Sequence, residues 1–228
     1  EIINSVCDLD EEFFLSNFTN LLSHLPVEEY VNIMNSAGKF KREEVLAGVL
    51  IDIFPSLPDD IKLQTISLVK EFKNEKNFSQ TFNDLIYSEW NSVSQQVLQE
   101  FLTYVQSRRA DYEEYSNLLC RLIPYMYDKE KTKYALEVLS ITPNIFSEYV
   151  QSNRLLNILP FLPDKKHELV EKILSLSYKT LSYSKYSRAE IISRVAEYLE
   201  PDIKIEFLVA VLFEKGNKIS LDTLPSIL

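Results

Sequence analysis

The chain is interrupted at nearly regular intervals by a short signal that ends one helix and starts the next. Leu57-Pro58-Asp59-Asp60 is the clearest case, with one apolar-periodic stretch running into it and a second running out. Leu25-Pro26-Val27-Glu28, Leu162-Pro163-Asp164-Lys165 and Leu199-Glu200-Pro201-Asp202 repeat the form. Proline is tolerated in the first turn of a helix, where the amide hydrogen it lacks would have no partner. Carboxylates just after it meet the positive end of the helix dipole. With fainter junctions included, the breaks fall near residues 26, 58, 91, 128, 163 and 201, separated by 32, 33, 37, 35 and 38 residues. A period of this size predicts stacked helix hairpins. The expected fold is all-α: a right-handed α-solenoid of about six antiparallel helix-pair repeats. An irregular helical bundle is the alternative, because drifting repeat length is common to both. The repeats are expected near 8–40, 41–76, 77–108, 109–141, 142–179 and 184–216, within one helical-repeat domain over 1–228. The chain starts without Met and ends on a stretch like the start of another helix, as a fragment of a longer protein would.

Glycine usage agrees. Three glycines in 228 residues is roughly a fifth of ordinary usage. Sheet hairpins and phosphate-cradling loops draw on glycine for positive φ, so a chain this poor in it turns through Pro, Asn, Asp and Ser instead. The apolar positions have helical spacing. Val45, Leu46, Val49, Leu50, Ile53 and Phe54 form one broad face, and Ile61, Thr65, Leu68 and Phe72 form the next. Further stripes are expected from Phe82, Leu85 and Ile86, from Val97 to Val105, and from Ile145, Phe146, Tyr149 and Val150 onward. Trp90 falls at a junction, where a large ring would plug the seam between neighbouring hairpins. Lys73 to Asn77 reads as a polar connector, and Ser177 to Tyr186 as a linker.

Two segments match beyond the junctions. Arg42-Glu43-Glu44-Val45-Leu46, followed by Asp60-Ile61-Lys62, parallels Arg188-Ala189-Glu190-Ile191-Ile192, followed by Asp202-Ile203-Lys204. On these features nearly the whole chain resembles the HEAT-like, helix-pair repeat proteins of the α-solenoid class. It lacks the Trp-Leu-Gly-Tyr pattern of tetratricopeptide repeats and the Thr-Pro-Leu-His of ankyrin. The Arg-Ala-Glu-Ile-Ile stretch with its Leu-x-Pro junction also resembles the helical-repeat arms of large bacterial signalling NTPases. The resemblance implies a sensor or docking surface, with nucleotide-binding motifs in other domains.

Catalytic chemistry finds no foothold in the sequence. Three scattered glycines build neither a P-loop nor a dinucleotide fingerprint, and there is no Gly-x-Ser-x-Gly elbow. The two histidines, His24 and His167, belong to no metal motif. The cysteines, Cys7 and Cys120, are too far apart for a metal pair or a disulfide framework, and Cys120 reads as a reduced core residue. Adjacent acids such as Asp59/Asp60 point about 100° apart on a helix and do not converge. The expectation is therefore a non-enzyme with no cofactor and no metal.

The net charge of −10 resides entirely in residues 1–100, which carry 7 basic and 17 acidic side chains. Such a half repels phosphate backbones, so tight nucleic-acid binding is not expected. Cysteines read as reduced fit a cytosolic compartment, so the chain is expected in the cytoplasm. It shows no signal peptide and no run of about 18 uncharged apolar residues, so no membrane partner is expected. Two patches are candidate binding surfaces. One interleaves Tyr178, Tyr183 and Tyr186 with Lys179, Lys185 and Arg188, a composition able to stack on bases and neutralise phosphates. The other is Arg108 and Arg109 with Tyr112 and Tyr115, suited to an acidic partner segment. A third apolar surface, 205–213, is expected to pack on another domain or chain. The leading function is a protein-interaction scaffold or sensor domain with a protein partner. The alternatives are a nucleotide or nucleic-acid binding module using Tyr178–Arg188, and a helical structural domain of a larger protein.

Overall fold

A computed structural model describes residues 42–88, 90, 93–179 and 185–199, together with 26, 29, 31 and 32. Almost all of the 8–40 hairpin, and Cys7, His24, Tyr183 and the apolar stretch 205–213, lie outside the described residues. Among the described residues every regular element is helical. The α-helices are α1 (Glu43–Ile53), α2 (Asp59–Lys70), α3 (Glu75–Tyr87), α4 (Gln95–Ser107), α5 (Tyr112–Leu122), α6 (Asp128–Ile141), α7 (Glu148–Ile158), α8 (Lys166–Lys179) and α9 (Lys185–Ala196). None is long and apolar enough to cross a membrane.

Local chemistry sets the helix starts. Asn74 accepts from the backbone N–H groups of Lys76 and Asn77 at 3.0 and 3.3 Å, so the expected Lys73–Asn77 connector is in fact the capped start of α3. Asp111 does the same for Glu113 and Glu114 at the start of α5, and Ser147 accepts from Val150 at the start of α7. Each cap satisfies amide hydrogens that have no partner within the helix.

The helix ends repeat a device that the junction pattern only partly showed. α1, α5, α6 and α7 each run into a single 3-10 turn with proline at its start: Phe54–Ser56, Ile123–Tyr125, Thr142–Asn144 and Leu159–Phe161. Proline has no N–H to continue the α-helical ladder, and the chain closes in the tighter turn. The next residue donates back to the first carbonyl of the turn and buries its side chain. These residues are Leu57, Met126, Ile145 and Leu162, at N–O distances of 3.1–3.3 Å. The repeated prolines are thus Pro55, Pro124, Pro143 and Pro160. Pro58, expected inside the first turn of a helix, stands just before α2. Between α3 and α4, Trp90 occupies the buried position, its indole N–H donating to the Leu85 carbonyl (3.1 Å) and Ser88 Oγ (2.8 Å).

The chain divides into two compact units, Glu1–Ser107 and Arg108–Leu228. Residues 101–107 carry no charge, so the first unit holds the whole net charge of −10 and the second is neutral. In the first unit α1 packs on α3, and α2 packs on α3 and α4. Phe101 is fully buried there, stacked on Trp90 (centroids 5.0 Å apart) and set edge-on to Phe82 (5.7 Å) and Phe54 (5.8 Å). Burying a ring of this size stabilises by about 1.5–3 kcal/mol before pairing effects. Glu43 latches α1 to the start of α3: its carboxylate accepts from the N–H groups of Lys73 (2.7 Å) and Asn74 (3.2 Å). Those bonds, the Lys73 one foremost, hold its carboxyl below the usual range.

In the second unit α5 packs on α6 and α7, α7 on α6, α8 and α9, and α8 on α9. Polar rungs tie α5, α7 and α9 together. Arg154 Nε donates to Ser116 Oγ at 3.2 Å, and Arg194 donates to Asn153 Oδ1 at 2.9 Å and Asn157 Oδ1 at 2.8 Å. Cys120 is buried, and that burial pushes its thiol up to about 12, as expected of an inert core cysteine.

Two sequence expectations are corrected here. The linker expected over Ser177–Tyr186 is helical at both of its ends, because α8 runs to Lys179 and α9 begins at Lys185. Ile173 and Ser177, one turn apart, are both buried, so the packed face of α8 continues past Leu176. Phe146, expected in the apolar stripe of α7, lies before that helix and is 96% exposed.

Candidate functional site

The site is built on the second unit where the starts of α5 and α7 come beside α6. Asp111 caps the start of α5, and Tyr115 faces inward on the buried stripe that continues through Leu118, Leu119 and Leu122, which leaves Tyr112 at the surface, 44% exposed. Leu136 on α6 is 41% exposed. Two open concavities share the Tyr112 ring as a common wall. One, of about 520 Å³, is lined by Arg109, Tyr112, Leu136, Glu137 and Ile141. The other, of about 470 Å³, is lined by Asp111, Tyr112, Glu113, Ile145 and Phe146.

Phe146 stands out because its loop is pinned while its ring is bare. On one side Thr142 Oγ1 donates to the Val138 carbonyl (2.7 Å) and the Ile145 N–H to the Thr142 carbonyl (3.1 Å). On the other, Ser147 caps α7, and Gln151 Nε2 donates to the Ile145 carbonyl at 2.6 Å. Phe146 precedes the cap, where an apolar residue usually packs against the fourth residue of the helix; here that residue is the polar Gln151. Nothing local covers the ring, and the loop bonds hold it in place.

Electrostatics around the first concavity centre on Glu137. The Arg109 guanidinium donates to Glu137 Oε1, and the Tyr115 hydroxyl donates to the same oxygen at 2.8 Å. Glu137 Oε2 accepts from no donor among the described residues. The phenol of Tyr115 is pushed up to about 12, first by burial and then by the carboxylate beside it. The guanidinium carbon of Arg109 lies 5.8 Å from the Tyr115 ring centroid, and Glu137 holds the Arg109 pKa higher still.

The patch read from Arg108, Arg109, Tyr112 and Tyr115 is therefore reassigned. Arg108 is half-buried in the turn before α5, Tyr115 is buried, and the acid that meets Arg109 is the chain's own Glu137. Tyr112 is exposed. Of the other candidate patch, Tyr178 and Lys179 fall in the last turn of α8, and Lys185, Tyr186 and Arg188 in the first turns of α9. Sequence reasoning missed Leu136, Glu137, Asp111, Glu113 and the exposure of Phe146. A signal for Phe146 was present: Ser147-Glu148 reads as a cap and first turn, which places residue 146 outside the helix.

Among the described residues no group of three or more His, Cys, Asp or Glu is placed to hold a metal ion. His167 is exposed, its Nε2 3.3 Å from Glu171 Oε1 one turn away on α8. No family model, curated protein or solved structure matches the chain.

Proposed function

We propose that this chain is a non-catalytic protein-interaction module of the cytoplasm, built from stacked helix-pair repeats, that docks a protein partner on the surface formed by Tyr112, Leu136 and Phe146. The observation that carries the reading is Phe146. An almost fully exposed phenylalanine on a hydrogen-bonded loop does nothing for the fold, and with the exposed Tyr112 and Leu136 around the two concavities it extends an apolar patch, the kind of surface that marks an interaction site. Tyr112 suits the role beside it, because tyrosine and phenylalanine are enriched in interfaces. The repeat architecture is supported by the packing order within each unit: α5 on α7 and α7 on α9, and likewise α1 on α3 and α2 on α4. First helices lie on first helices in both units, and second on second in the first unit, as hairpins stacked in series would place them.

The test is site-specific photocrosslinking in cells with a photoreactive phenylalanine at position 146 and, as a control, at exposed position 167 of α8. Position 146 is expected to give discrete protein adducts that position 167 does not. Identical, diffuse labelling from both positions refutes docking at this surface.

A further inference from the structure

Three carboxylates, Asp111, Glu113 and Glu137, line the two concavities, against one guanidinium, Arg109. That guanidinium is already bound to Glu137, whose second oxygen is left over. Both caps made by Asp111 use its Oδ1. Glu113 is exposed, and its carboxylate meets no cation among the described residues. The next cation along this face of α6, Lys133, sits against the Tyr134 ring at 4.9 Å. The surface thus has apolar floors and an excess of negative charge at its rim, within a unit that is neutral overall.

We infer that the occupant of this surface is a short cationic segment of a partner protein: two apolar side chains, one on either side of the Tyr112 ring, with Lys or Arg beside them. The inference rests on the docking reading above and adds the partner's chemistry to it. The apolar anchors enter the concavities walled by Leu136 and by Phe146, and the flanking cation reaches Glu113 and the free oxygens of Asp111 and Glu137. An acidic segment meets three carboxylates against a single guanidinium here, so the net charge of the rim opposes it. A phosphate backbone is repelled for the same reason. A second copy of this chain docked face to face brings the same carboxylates against one another. Complementary rim charge chiefly speeds encounter and selects the partner, while buried apolar anchors supply most of the affinity.

The experiment is selection from a random peptide phage library on the immobilised full chain, followed by fluorescence anisotropy of the enriched peptides. Enriched peptides are expected to combine aromatic or aliphatic pairs with Lys or Arg. Loss of the anchor contacts in Phe146→Ser or Tyr112→Ala is expected to weaken binding about tenfold or more. Reversal of a rim charge in Glu113→Lys is expected to weaken it about 3–10-fold, and raising salt from about 0.05 M to about 0.5 M to weaken it in the same direction. Asp164→Lys, on an exposed turn outside the concavities, leaves binding unchanged. Peptides that are acidic or uncharged yet depend on Phe146 overturn the cationic inference and leave the docking reading standing. So does a Glu113→Lys protein that binds as well as the parent. Peptides indifferent to both Phe146→Ser and Tyr112→Ala, or no enrichment at all, overturn the docking reading and this inference together.

Discussion

The sharpest check on the fold makes one substitution at two phenylalanines of opposite surroundings. Phe101 is fully buried, with three aromatic rings at centroid distances of 5.0–5.8 Å. Truncating such a residue to alanine loses its transfer energy and leaves a cavity, together about 3–5 kcal/mol. Three aromatic contacts, each contributing about 0.5–1.5 kcal/mol beyond area burial, place Phe101→Ala at the upper end, about 4–5 kcal/mol. With a urea dependence of about 2 kcal/mol per molar, the unfolding midpoint falls by about 2 M. Phe146 is 96% exposed, so Phe146→Ala changes stability by no more than about 0.5 kcal/mol. The assay has a built-in reporter, since the single tryptophan, Trp90, stacks on Phe101 and its fluorescence follows the first unit. Phe146→Ala is followed by far-UV circular dichroism over the whole chain. Equal midpoints for Phe101→Ala and the parent would show that the aromatic cluster is not a packed core. A loss at Phe146 matching that at Phe101 would show a covered ring and remove the docking anchor.

Three further outcomes follow from buried titratable groups. Tyr115 ionises near 10 when unfolded but is pushed up to about 12 in the fold, so its contribution is present below pH 10 and is lost as pH rises from 10 towards 12. Tyr115→Phe should cost about 1 kcal/mol at neutral pH through the lost bond to Glu137, and the gap to the parent in urea midpoint should shrink across that window; a constant gap refutes the assignment. Lys62 is buried with its pKa lowered, by burial first and against the pull of Asp59, so stability rises as pH climbs through its folded pKa towards 10.5. Lys62→Met should flatten that rise and stabilise the protein by about 1 kcal/mol at neutral pH; a less stable variant shows the ammonium to be a net stabiliser. In a Cys7→Ser background, Cys120 should resist iodoacetamide until the second unit unfolds, because thiolate is the reactive form and burial raises its pKa to about 12. Rapid alkylation of the native protein would place that thiol at the surface.

Most of the helical framework was legible in the sequence because it is set by interactions a few residues long. The apolar faces of α1 and α2, the prolines at the junctions and the acids after them all act within one or two turns. Even the starts of α3 and α7, misread as a connector and as an apolar stripe, carried their Asn74 and Ser147 caps in plain view. Tertiary structure decided what lies against each face. Phe101 and Phe146 are the same residue in similar apolar stretches, yet one is enclosed by rings from three other segments and the other stands in water. Arg109 is a basic residue in a turn to the sequence, and its partner lies 28 residues away on α6. Hydrophobic periodicity records which side of a helix is apolar. It carries no information on which hairpin arrives to cover that side, or on which charges the packing register brings together, because those depend on distant segments meeting in space.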